Sequence, residues 1–194
     1  ENLTFEGLRL APRQGSGRTA AAFADGLHFS GCRGLVRIMN SHVEGTHDDP
    51  INIHGTHLRI IDKRAVNQIV VRFMHGQSYG FDAFHPGDVI ELVSAASLVA
   101  YDCQIVLAVE RLDSRNLLLT LNKSASESMV IGDVVENVTW TPQVEIRNNS
   151  FARVPTRGIL VTTRRKVVIE HNTFDQTMMS AILIADDAES WFES

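Results

Sequence analysis

Three aspartates carry the strongest chemical signal in the sequence. Asp48 and Asp49 stand side by side in His47-Asp48-Asp49-Pro50, and Asp25 precedes Asp49 by 24 residues (49 minus 25), a spacing that recurs elsewhere in the chain. If the spacing is a structural repeat, Asp25 and Asp49 lie on adjacent strands about 4.8 Å apart, with Asp48 splayed to one side. Ionised carboxylates that close repel one another, which raises the pKa of at least one. A raised acid beside an ionised base is what hydrolysis of a glycosidic bond requires. Taken alone, Asp-Asp-Pro is a common turn former. Asp25 stacked against the pair turns the reading toward chemistry.

Histidines thicken the same region: His28, His42, His47 and His54. His28 follows Asp25 by three, Asn52 holds the equivalent place one repeat later, and His54 lies two beyond Asn52 on the same side of its strand. Imidazoles and amides suit sugar hydroxyls as hydrogen-bond partners, so His28, Asn52 and His54 are candidate substrate contacts. Asp and His together can ligate zinc or manganese. No HxH or HxxxH spacing supports a metal, and neither metal nor cofactor is expected. Arg157 falls on the column of Asp25 and Asp49 when the repeats are aligned. The basic run Thr162-Thr163-Arg164-Arg165-Lys166 is either a solvated corner or a turn whose Arg164 faces the acidic site. Trp191 is either a sugar-stacking ring or a packing residue.

These residues need elements to hold them, and the elements read as strands. Short β-branched runs such as Leu35-Val36-Arg37-Ile38, Ile51-Asn52-Ile53, Val144-Glu145-Ile146 and Val167-Val168-Ile169 are bounded by Gly, Asn, Asp or Ser. Val144 to Phe151 overlays Val167 to Phe174 with an offset of 23 (174 minus 151), placing Asn149 on Asn172 and Ile159-Leu160-Val161 on Ile182-Leu183-Ile184. Earlier copies begin at Ile38 and at Gly26. A period in the low twenties with short strands and no helix suits the rungs of a parallel β-helix, with Asn149 and Asn172 forming an asparagine ladder at a turn. A leucine-rich repeat is excluded because its leucine-dense consensus is absent.

The repeat fails between His57 and Pro142. Five strand-like runs occur there, from His57-Leu58-Arg59-Ile60-Ile61 to Leu117-Leu118-Leu119-Thr120-Leu121. The expected architecture is therefore all-β: β-helix rungs over 1–56, an inserted small antiparallel barrel over 57–142, and further rungs over 143–194.

Composition narrows the function classes. The 194 residues are 44% hydrophobic, with 18 basic against 23 acidic residues and a net charge of -5, which argues against a nucleic-acid partner. No apolar run of about 18 residues occurs, so membrane insertion is not expected. The opening Glu1-Asn2-Leu3-Thr4 lacks the basic-then-apolar start of a signal peptide. Cys32 and Cys103 fit neither a disulfide framework nor a zinc cluster and are expected to pack as small apolar residues.

Longer motifs add a resemblance. Ala24-Asp25-Gly26-Leu27-His28-Phe29-Ser30-Gly31-Cys32-Arg33-Gly34 and Gly45-Thr46-His47-Asp48-Asp49-Pro50-Ile51-Asn52-Ile53-His54-Gly55-Thr56 resemble glycoside hydrolase family 110, the inverting α-1,3-galactosidases, some of which remove the blood-group B galactose. The likeness continues through Arg72-Phe73-Met74-His75, Val138-Thr139-Trp140-Thr141-Pro142, Thr156 to Lys166 and Ala181 to Trp191. It implies a right-handed β-helix with barrel insertions, a galactose-terminated glycan as substrate, and Asp25, Asp48 and Asp49 as the source of acid and base. Asp48 is expected as general acid and Asp25 as base, with Asp49 positioning water or substrate. Family glycans lie outside the cytoplasm, which implies a secreted or periplasmic protein. Family members are much longer than this chain, so an internal segment is expected, with strand edges open to aggregation or end-to-end homodimerisation. Competing readings are another β-helix polysaccharide hydrolase, a lyase using Arg157 or Arg164 as its base, and a non-catalytic carbohydrate-binding β-helix.

Overall fold

A computed structural model describes residues 2–194. The chain divides into two compact units: one holds the chain up to His54 together with Thr141–Ala185, the other Gly55–Trp140 with Asp186–Ser194.

The first unit begins with six strands, β1 (Leu3–Glu6), β2 (Arg9–Leu10), β3 (Leu27–Ser30), β4 (Leu35–Met39), β5 (His42–Glu44) and β6 (Ile51–His54). The second unit supplies β7 (Leu58–Ala65), β8 (Gln68–Arg72), β9 (Val89–Val93), β10 (Ala100–Arg111), β11 (Asn116–Leu121) and β12 (Val134–Asn137). The chain then returns to the first unit with β13 (Gln143–Arg147), β14 (Ser150–Val154), β15 (Ile159–Val161), β16 (Val167–Glu170), β17 (Thr173–Thr177) and β18 (Ile182–Leu183).

In the first unit the strands form three parallel four-stranded sheets, ordered β1-β4-β13-β16, β17-β14-β5-β2 and β18-β15-β6-β3. The chain visits the three sheets in turn, four times. Register stacks like on like: Ile38 pairs with Phe5 and Ile146, and Phe151 pairs with Val43 and Phe174. These inward columns form one apolar core, because no single pass has enough apolar surface to bury itself.

The turn after the first sheet repeats in detail. Asn40, Asn148 and His171 adopt left-handed φ of 51°, 55° and 55°, at the place Gly7 fills in the first pass. The next residue closes the ladder: Asn149 Oδ1 accepts from the Ser41 N–H at 2.9 Å, and Asn172 Oδ1 accepts from the Asn149 N–H and Nδ2, both at 2.9 Å. Asn149 Nδ2 also donates to the Ile38 carbonyl at 3.0 Å, so the buried amide is satisfied on both sides.

The sequence period missed the first pass for a geometric reason. Leu8 and Ser41 occupy equivalent positions 33 residues apart, whereas Asp25 and Asp49 are 24 apart. The loop from Ala11 to Gly26 carries the difference, so β1 and β2 fall out of phase with the later copies.

The second unit is a closed antiparallel barrel, ordered β10-β11-β8-β7-β12-β9. It has six strands where five were expected. The missed one, β12, reads only Val-Val-Glu-Asn, too short a run to announce itself, yet Val134, Val135 and Glu136 are all buried. A second correction concerns residues 186–194, expected to continue the rungs. They group with the barrel, because Ala188 and Phe192 bury against Val93 and Val134, and the wholly buried His57 pairs with Asp186 at 2.8 Å. Cys32 packs against the core of the first unit, but Cys103 is exposed on β10, contrary to the packing expected of both.

Candidate active site

The aspartates lie in the first unit, at the corner that leads into β3, β6 and β15. Register places Asp25, Asp49, Arg157 and Ser180 in one column immediately ahead of these strands and β18. Backbone bonds fix the stack: the Gly26 N–H donates to the Asp49 carbonyl at 2.9 Å, and the Gly158 N–H to the Ser180 carbonyl at 3.1 Å. Glycine is required at both corners. A Cβ on Gly26 would lie 2.7 Å from the Pro50 carbonyl oxygen, and one on Gly158 2.5 Å from the Ala181 oxygen.

The three carboxylates have different environments. Asp49 is wholly buried, and its oxygens are taken up by the next pass. Oδ1 accepts from Thr156 Oγ1 at 2.8 Å, from the Arg157 N–H at 3.1 Å and from Arg157 Nε at 3.0 Å, while Oδ2 accepts from Arg157 Nη2 at 2.8 Å. This two-pronged guanidinium contact fixes the orientation of the Asp49 carboxyl. Asp48 has a side chain 43% exposed, with Oδ1 lying 3.6 Å from Arg157 Nη2. The Asp49 N–H is shared between Asp48 Oδ1 at 3.0 Å and Asp25 Oδ1 at 3.2 Å, so one backbone donor holds both carboxyls.

Asp25 is the perturbed acid. Burial pushes its pKa above the usual carboxylate range; His28 opposes the shift, Asp48 adds to it, Asn52 opposes it by hydrogen bonding, and Asp49 adds again. Asn52 Nδ2 donates to Asp25 Oδ2 at 3.3 Å, and His28 Nδ1 lies 3.6 Å from the same oxygen. His28 Nε2 faces His54 Nε2 at 2.6 Å, so one ring donates and the other accepts. Asp25, Asn52, His28 and His54 thus form a continuous polar chain leading from β3 to β6.

Several known proteins align with the whole chain. It is 55% identical to Alpha-1,3-galactosidase A of Bacteroides thetaiotaomicron over 100% of its length and 34% of the relative's. It is 50% identical to Alpha-1,3-galactosidase A of Akkermansia muciniphila, of which it covers 33%, and 36% identical to Alpha-1,3-galactosidase B of Bacteroides thetaiotaomicron, of which it covers 31%. Residues 68–135, within the barrel unit, match the model for GLAA-B beta-barrel domain II. Both kinds of match fit glycoside hydrolase family 110. It spans about a third of the length of the curated relatives it matches.

In this chain the structure brings together most of the expected site residues: Asp25, Asp48, Asp49, His28, Asn52, His54 and Arg157. Arg164 stands apart, exposed in the turn beyond the far end of β15, with the three residues of that strand between it and the Arg157 corner. The guanidinium on the carboxylates is that of Arg157. His42 is also elsewhere, on β5 with Glu44 at 3.0 Å. Trp191 belongs to the barrel unit, where its half-exposed ring lies 4.5 Å from that of His75. Two neighbours of the site were not singled out in the sequence. Thr156 donates to Asp49, and its place next to Arg157 in the column was a usable signal. Phe23 lies beside His47, and only its flanking alanines marked it as a ring with little local packing. One oxygen from each of Asp25, Asp48 and Asp49 lies within 4.8 Å of the others, a clustering that also suits a hard cation. Arg157 already brings positive charge to that cluster.

Proposed function

We propose that this corner is the catalytic centre of an exo-acting, inverting α-1,3-galactosidase that removes terminal α-1,3-linked galactose from glycans, the blood-group B type among them. One observation carries the reading. A partly buried carboxyl with a raised pKa stands beside a half-exposed one, in a chain whose whole length aligns with proteins named for that activity. Asp25 is the general acid, since burial favours its protonated form, and Asp48 is the base, since it faces water and lies near the Arg157 charge. These roles exchange the ones expected from the sequence. Asp49, held by Arg157, positions both carboxyls through its N–H. His28, Asn52 and His54 bind sugar hydroxyls.

The scaffold in this proposal is a right-handed parallel β-helix of four rungs interrupted by an inserted barrel. The parallel register and the asparagine ladder support it. The protein works where such glycans occur, outside the cytoplasm or in the periplasm.

Spacing sets a requirement on the mechanism. An inverting pair needs carboxyls about 6.5–9.5 Å apart, to leave room for water. The nearest oxygens of Asp25 and Asp48 are within 4.8 Å. The proposal therefore includes rotation of the exposed Asp48 carboxyl away from Asp25 when substrate enters. Proton NMR of galactose release from Gal-α-1,3-Gal by the full-length protein, with Asp48→Asn as control, tests it. Initial β-galactose, lost in the control, is expected. Initial α-galactose would mean retention at the closed spacing and overturn the inverting mechanism. No release would overturn the galactosidase reading.

A further inference from the structure

Phe23 is the most solvent-exposed of the large apolar residues described, at 90%. The other phenylalanines of its unit behave differently: Phe5, Phe29, Phe151 and Phe174 all pack in the core. Phe23 is nevertheless fixed in place by its backbone neighbours. The Ala21 N–H donates to the Gly45 carbonyl at 2.7 Å, the His47 N–H to Ala22 at 3.1 Å and the Asp48 N–H to Ala24 at 3.4 Å. Residues 21–25 and 45–49 therefore run side by side up to the carboxylates. The His47 ring braces that of Phe23, with centroids 5.9 Å apart and planes at 55°.

The position of the ring gives it a use. It lies two residues before Asp25, so their Cα atoms are at most about 7 Å apart, on the scale of one pyranose ring. Galactose presents a face of C–H groups that packs on an aromatic ring, as an exposed π-face invites. The flanking alanines leave the ring no side chain to pack on within its own segment, and the general acid beside it must approach the leaving-group oxygen.

We infer that Phe23, braced by His47, is a stacking platform for the leaving-group sugar, an inference that rests on the galactosidase reading above. It binds the sugar released after cleavage and leaves the galactosyl ring itself untouched. Its loss weakens binding without removing any reacting group, so KM rises and kcat holds.

The test uses two substrates on the full-length protein. Gal-α-1,3-Gal has a leaving-group sugar; α-galactosyl fluoride has none. Phe23→Ala is expected to raise KM for the disaccharide about tenfold and to leave the fluoride unchanged. Phe23→Tyr is expected to retain wild-type KM, whereas Phe23→Leu behaves as Ala. An unchanged disaccharide KM overturns the platform, and so does an equal loss on both substrates. A lowered melting temperature in Phe23→Ala that Leu restores also overturns it, because the ring would then be buried by another part of the protein. Failure of the wild-type protein on both substrates would instead sink the galactosidase reading. In that event, NMR titration with the disaccharide, comparing wild type and Phe23→Ala, decides the platform separately: equal binding overturns it, and weaker binding to the variant supports it.

Discussion

Replacing Arg157 by Met should expose how much of the corner depends on one guanidinium. The Asp49 side chain is 1% exposed and Arg157 26%. The substitution keeps the apolar stem but removes the Nε and Nη2 donors, leaving Asp49 with the Thr156 hydroxyl and one backbone N–H. Breaking a buried ion pair from one side costs about 3–5 kcal/mol, because the remaining charge is stranded. Arg157 is a quarter exposed, so water replaces part of what is lost, and about 2–3 kcal/mol is expected. For a unit of about a hundred residues that lowers the melting temperature by roughly 8–24 °C. Asp49→Asn in the same background should recover part of it, since no charge is then left buried. Urea unfolding of wild type, both single variants and the double variant gives the coupling, expected at about 2 kcal/mol. Additivity within about 0.5 kcal/mol would refute the reasoning, because it would mean that the pair is not felt as a pair. Arg157→Met should also lower kcat, since Asp49 carries the N–H that both other carboxyls share.

Asp25→Asn should abolish turnover of the disaccharide by about 10²–10⁴-fold and remove the alkaline limb of its pH profile, which belongs to the loss of the Asp25 proton. His28→Ala removes an influence that lowers the Asp25 pKa, so in stopped assays across pH that alkaline limb should move to higher pH; a move downward would contradict the assignment. The same shift has a stability sign. A carboxyl raised on folding favours the protonated state, so its contribution is full below the unfolded value near 3.8 and is lost as pH rises through the raised value. Asn149→Ala strands the Ser41 N–H and the Ile38 carbonyl, and urea titration should register a loss of about 3 kcal/mol. Gly158→Ala should be worse than Gly31→Ala by thermal melting. Its Cβ would lie 2.6 Å from the Phe174 ring, whereas Gly31, at φ +58°, has open space and only backbone strain of about 1–2 kcal/mol.

What the sequence revealed and what it hid follow from how each signal is generated. The columns Asp25–Asp49–Arg157 and Asn149–Asn172 were legible because parallel stacking preserves register, so a spacing in sequence becomes a neighbour in space. Asp49 and Arg157 are 108 positions apart in sequence, yet the column is intact, since the barrel strands pair only among themselves. β1 and β2 were hidden by the longer loop after them, and β12 by its length. Side-chain direction was legible only inside the repeat. Arg157 was marked by its place in the column, whereas Arg164 entered only through its basic run, and the strand Ile159–Val161 separates it from that corner. His42 looked like a member of the histidine group until its strand carried it to Glu44. Phe23 gave no periodic signal, because its exposure depends on which face of a loop it occupies.

The order of residues along the column explains why one carboxyl differs from the others. At about 4.8 Å spacing, a column of aspartates would repel itself at every step. Here the third position is Arg157, which faces Asp49 with three of the guanidinium's contacts and reaches Asp48 at 3.6 Å. Asp25 lies one pass further away and has no guanidinium among its influences; it has burial, two like charges, one histidine and one amide. The same arginine that grips Asp49 therefore leaves Asp25 to burial and to its other neighbours. Position in the column, more than residue type, assigns the roles: an arginine one pass earlier would hold Asp25 ionised and remove the acid. The chemistry proposed for this corner depends on the two aspartates coming before the arginine.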